Sequence, residues 1–122
     1  MNDIKHGSFQ GTYFSKEGAG SPVILVHGLG MNRQMWQWQM DSLTPYFSVI
    51  CYDLLGHGES VNPEIPCHLS QFSRQLLSLM DGLNLESSAL VGFSLGGLIV
   101  QDFVLNYPEK VNALVMLNTA HG

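Results

Sequence analysis

A chain of 122 residues has room for one domain around a single hydrophobic core. Its formal net charge of -5, from five Lys plus Arg against ten Asp plus Glu, leaves no basic surface for phosphates, so no nucleic-acid partner is expected. Charged residues make up only 12% of the chain, against roughly 25% in soluble domains, which fits either a core-rich piece of something larger or a neutral surface of Ser, Asn and Gln.

In chain order, Met1 to Gln10 holds Asp3, Lys5 and His6 and no apolar stretch of the kind a secretory signal needs. Ser8 to Phe14 is expected to form a strand that closes in a turn at Glu17 to Gly20. Pro22 to Val26 (PVILV) and Ser48 to Tyr52 (SVICY) are apolar without alternation, as central parallel strands covered on both faces are. Ala89 to Val91 and Ala113 to Leu117 (ALVML) repeat the pattern. Between the runs lie three segments of helical period. The first spans Gln34 to Leu43. The second carries Phe72, Leu76, Leu79, Met80 and Leu83 at spacings of three and four, with Ser70 as its N-cap. The third, Leu95 to Tyr107, is ended by Pro108. This alternation predicts an α/β fold: a mostly parallel sheet with helices on both faces and ligand chemistry at the carboxyl ends of the strands.

Cys51 and Cys67 make neither a disulfide framework nor a metal set, and a reducing cytoplasm is the expected setting. The five His show no paired ligand spacing, so no metal and no cofactor is expected. Ala89 to Leu105, the most apolar stretch, is interrupted by Ser94, Gly96, Gly97, Gln101 and Asp102 and does not read as a membrane span.

Three strand ends carry chemistry. Gly92, Phe93, Ser94, Leu95, Gly96 form a GxSxG between an apolar strand and an apolar helix. A turn that sharp strains the serine backbone and needs glycine where strand and helix nearly touch, which Gly92 and Gly96 supply. The Ser94 hydroxyl then projects over the sheet edge, beside a helix N-terminus that offers free N–H groups to a developing oxyanion. His27, Gly28, Leu29, Gly30 follow PVILV; the two glycines let amides turn inward, with Leu29 N–H as one candidate donor and Leu95 N–H as the other. His27 reads as a structural residue with a backbone partner. Asp53 to Ser60 follow SVICY, and there Asp53 and His57 read as groups that bond local backbone in a Gly-rich turn.

HGLG, DLLGHGES and VGFSLGG, in this order and spacing, resemble the N-terminal half of an α/β-hydrolase-fold protein, and the match runs through nearly the whole chain. The segments look most like those of small bacterial esterases and enol-lactonases. The resemblance implies Ser94 as nucleophile and the Leu29 and Leu95 amides as the oxyanion hole. It also implies a small-molecule acyl substrate: an ester, thioester, lactone or carbon–carbon bond, and not the substrates of members with Asp at this position. In that family the acid and the histidine follow the serine along the chain. The 28 residues after Ser94 offer Asp102, Glu109 and His121. Asp102 and Glu109 are expected on solvated surface, and His121 is too near the terminus to be held as a base. The chain is therefore expected to be a single N-terminal portion of the fold, without lid or later strands and inactive alone; the apolar edge of ALVML predicts that it either derives from a longer protein or self-associates through that edge. The alternative is a non-catalytic member of the fold that binds a ligand or partner in the same pocket.

Overall fold

The computed structural model describes residues 5–63 and 68–117; Cys67 and His121 lie outside the described residues. The elements are β1 (Lys5–Phe9), β2 (Thr12–Glu17), β3 (Pro22–Val26), a 3-10 turn (Arg33–Trp36) leading into α1 (Gln37–Leu43), β4 (Ser48–Tyr52), α2 (Leu69–Gly82), β5 (Ser88–Phe93), α3 (Leu95–Asn106), a second 3-10 turn (Pro108–Lys110) and β6 (Val111–Leu117). They build one six-stranded sheet in the order β1-β2-β4-β3-β5-β6. The pairs β1–β2 and β2–β4 are antiparallel; β4–β3, β3–β5 and β5–β6 are parallel, as the apolar runs predict.

Alternation along the central strands sends side chains to both faces. Val23, Leu25, Val49 and Cys51 meet Trp36 and Met40 on the α1 side. Ile24, Val26, Ile50, Tyr52 and Leu90 meet Phe72, Leu76, Leu79 and Met80 of α2 and Ile99, Val100 and Phe103 of α3 on the other. Each fully buried side chain of this kind contributes about 1.5–3 kcal/mol, so the central strands are fixed in height and register. Burial pushes the Cys51 thiol up to about 12, and its Sγ lies 3.2 Å from Met40 Sδ. On β6, the outermost strand beside β5 among the described residues, Leu114, Val115, Met116 and Leu117 are exposed. Among the described residues no helix is long and apolar enough to cross a membrane.

Three element boundaries differ from the sequence expectation. Ser8 to Phe14 is not one strand: Gln10 (φ 51°) and Gly11 (φ 84°) make a two-residue hairpin turn between β1 and β2. Glutamine at the first turn position, in place of the usual Asn or Asp, hid it. The cap of α2 is His68, not Ser70; its N–H donates to Gln71 Oε1 at 2.6 Å, and Ser70 lies inside the helix. The first helix opens as a 3-10 turn capped by Asn32, whose side chain accepts from Gln34 N–H.

The connection leaving β3 runs to β4 on one side, and the one leaving β5 runs to β6 on the other. The crevice where adjacent strands part company in this way is where open α/β sheets bind ligands. Its walls are the residues after Val26 and after Phe93.

Candidate active site

Ser94 sits between β5 and α3 with φ 58° and ψ −114°, a backbone state that costs a non-glycine residue about 1–3 kcal/mol. The flanking glycines make this geometry attainable. A Cβ on Gly92 would overlap the Gly96 carbonyl oxygen, and one on Gly96 would overlap the carbonyl oxygen of Val26 at the end of β3. The helix start is thus wedged against two strand ends, and Ser94 is left exposed at the top.

Backbone bonds secure the turn. Ser94 N–H donates to Leu117 O at 3.0 Å, and Ser94 O accepts from Gly97 N–H and Leu98 N–H at 2.9 and 3.3 Å. The Leu95 and Gly96 amides are among those a helix start leaves without an acceptor of its own. Across the crevice a Cβ on Gly28 would lie 3.3 Å from Ser94 Cβ, so the β3 loop passes in contact with the serine. Gly30 adopts φ 76° and turns the loop away. Leu29, Ser94, Leu95, Leu98, Gln101 and Met116 line an open cleft of about 550 Å³. The expected nucleophile and the residues of both expected amide donors therefore line one cleft, whose side chains apart from Ser94 and Gln101 are apolar.

Both strand-end histidines are engaged with backbone, as their positions suggested. His27 is fully buried; its Nε2 accepts from Leu54 N–H at 3.0 Å, so Nδ1 carries the proton and donates to Gly28 O at 2.7 Å. His57 Nε2 accepts from Gly30 N–H at 3.0 Å, so its Nδ1 donates to Leu55 O at 2.9 Å. The two rings lie 5.2 Å apart. Burial holds the His27 imidazole below its ordinary range, with the nearby His57 acting in the same direction against the Gly28 bond. An unfolded chain protonates this imidazole near pH 6.5, about its ordinary value, while the folded chain resists until lower pH. Stability is therefore full above that value and falls as pH drops toward the depressed folded value. Urea midpoints measured downward from neutral pH are expected to fall in the wild type and to fall less in His27→Gln.

Asp53 is fully buried and ties three segments together. Its Oδ1 accepts from Arg33 N–H at 2.7 Å, its Oδ2 pairs with the Arg33 guanidinium and accepts from Glu59 N–H at 3.0 Å. Arg33 also reaches Glu59 and Ser15 and lies over the Tyr13 ring. Arg33 carried no signal in the sequence. Gln75 did: it is a polar residue on the buried face of α2 beside Phe72 and Leu76. Its side chain donates to Thr12 Oγ1 and Asp53 O, both at 3.0 Å, and accepts from Leu55 N–H at 3.1 Å.

Among the described residues Ser94 Oγ has no histidine or carboxylate partner. His27 and His57 are committed to backbone, His6 pairs with Ser15 Oγ at 3.0 Å, and His68 stands at the start of α2, with its backbone N–H on Gln71. Asp102 is not on solvated surface as expected; it is half-buried and accepts from Ser73 Oγ of α2 at 2.7 Å. Glu109 is exposed on the second 3-10 turn.

Known proteins match the chain over most of its length. The family model described as alpha/beta hydrolase fold matches residues 21–122. The chain is 36% identical over 98 residues to 3-oxoadipate enol-lactonase 2 of Acinetobacter baylyi, covering 80% of this chain and 37% of that protein. It is 36% identical over 104 residues to the pimeloyl-[acyl-carrier protein] methyl ester esterase of Aliivibrio fischeri, covering 84% of this chain and 38% of that one. Among solved structures, 2-hydroxy-6-oxo-6-phenylhexa-2,4-dienoate hydrolase of Rhodococcus sp. strain RHA1 superposes with a TM-score of 0.87 at 26% identity, over 98% of this chain and 48% of that one. The chain thus spans less than half the length of these relatives.

Proposed function

The chain belongs to the alpha/beta hydrolase fold family, and from that premise we propose that it carries the nucleophile and oxyanion hole of a serine hydrolase acting on an ester, thioester, lactone or carbon–carbon bond. Ser94 Oγ attacks the substrate carbonyl. The charge that develops on its oxygen is received by the Leu29 and Leu95 amides. As the adduct collapses, the bond from the carbonyl carbon to the leaving group breaks, the leaving group departs with the proton taken from Ser94, and water then releases the acyl group from the serine. The proton from Ser94 goes to a histidine other than His27 and His57, since both ring nitrogens of each are engaged with backbone. The relatives' names, an enol-lactonase, a methyl ester esterase and a dienoate hydrolase, support acyl-type chemistry. The two-cysteine composition supports a cytoplasmic setting.

The observation that carries the reading is the strained Ser94 backbone at the mouth of the cleft, wedged between Gly92 and Gly96. Strain of that kind persists only where the surroundings impose it. A fluorophosphonate probe followed by mass spectrometry tests it. An oxyanion hole without its base retains about 10³–10⁴-fold catalysis, so slow labelling confined to Ser94, and lost in Ser94→Ala, is expected. Labelling scattered over other serines would sink the reading.

A further inference from the structure

Leu29 is flanked by two peptide units, and each is held by a different imidazole. The first unit comprises Gly28 C=O and Leu29 N–H. Its oxygen takes the His27 Nδ1 proton at 2.7 Å and the Met31 N–H at 3.1 Å. The second comprises Leu29 C=O and Gly30 N–H, and its N–H is bound by His57 Nε2 at 3.0 Å. A trans peptide points its C=O and N–H in opposite directions. Fixing the Gly28 oxygen therefore fixes the line along which Leu29 N–H points, and fixing Gly30 N–H stops the next plane from rotating and dragging Leu29 with it. Both imidazoles are themselves locked: Leu54 N–H occupies His27 Nε2, and Leu55 O accepts from His57 Nδ1. Leu54 and Leu55 follow β4, so the clamp refers the β3 loop to a neighbouring strand end, and Asp53 bonds Arg33 at the loop's far end. Leu29 N–H itself has no acceptor among the described residues, although its side chain lies on the wall of the cleft that contains Ser94.

We propose that His27 and His57 are positioning residues, a two-imidazole clamp that aims the Leu29 amide at the oxyanion position over Ser94. The clamp rests on the serine-hydrolase reading for its purpose. It is separate from proton transfer, because neither ring has a nitrogen free to take the Ser94 proton. Donation to the Gly28 oxygen also polarises that peptide and makes Leu29 N–H a better donor.

The test uses His57, which is only half-buried, so that the variants fold. In His57→Ala the rate of Ser94 phosphonylation is expected to fall about tenfold, a part of the 10²–10³ lost with a whole oxyanion donor, while the thermal midpoint moves little. His57→Gln, whose side-chain oxygen accepts from Gly30 N–H, is expected to recover most of that loss. In parallel, a ¹⁵N–¹⁵N coupling across Gly30 N–H···Nε2 of His57 is expected in the wild type. The Leu29 and Gly30 amide resonances should move in His57→Ala and return in His57→Gln. Equal rates in wild type and Ala variant, or equal losses in Ala and Gln variants, would overturn the proposal. Should the wild-type serine not be labelled at all, the hydrolase reading fails by itself, and the amide resonances still decide whether the clamp exists: unmoved Leu29 and Gly30 signals in His57→Ala would refute it.

Discussion

Alanine in place of Gly96 is expected to cost more than about 4 kcal/mol, in the range reserved for severe lesions and a large share of the roughly 5–15 kcal/mol that holds a domain together. The added methyl would occupy the space of the Val26 carbonyl oxygen and approach the His27 carbonyl oxygen to 2.7 Å. Both obstacles are backbone. Val26 is fully buried and paired to β4 and β5, so it cannot retreat without unpacking the centre of the sheet. Gly30→Ala provides the contrast: its φ of 76° disfavours a side chain, but nothing lies within 4 Å of the added atom, so about 1 kcal/mol is expected. Urea unfolding of the two variants beside wild type measures both. A Gly96→Ala chain as stable as Gly30→Ala would show that α3 does not rest on the end of β3.

The second large effect couples stability to chemistry at Ser94. Its φ of 58° suits glycine, so Ser94→Gly is expected to raise the unfolding free energy by about 1 kcal/mol once the greater freedom of unfolded glycine is subtracted. In a protein with a complete triad the same change removes the nucleophile, and losing such a serine costs about 10⁶ in kcat. A gain in stability together with loss of probe labelling is the expected pair of results. Unchanged or lower stability would mean that the Ser94 backbone is not strained, and the elbow would then lose its physical basis.

The sequence by itself determined the class of fold and the position of the elbow, for reasons that act over a few residues. PVILV and SVICY lack alternation because both of their faces are covered, and Ala, Leu and Val around the GxSxG mark where one such strand meets a helix. Gly92 and Gly96 are four residues apart, so the steric demand that selects them is written in adjacent code. The hairpin at Gln10 and Gly11 and the His68 cap escaped because their residue types are not the usual ones for those geometries.

Tertiary structure decided how the site is held. Arg33 meets Asp53 across twenty residues, Gln75 meets Thr12 across sixty-three, and Gly30 meets His57 across twenty-seven. Such pairs leave no period or spacing in the chain, because strand order and not sequence order makes them neighbours: β4 lies beside both β2 and β3, so the residues after Tyr52 reach both the hairpin and the β3 loop. Whether a histidine at a strand end donates, accepts or transfers a proton is fixed by which backbone groups face its two nitrogens, and only the folded sheet brings those groups together.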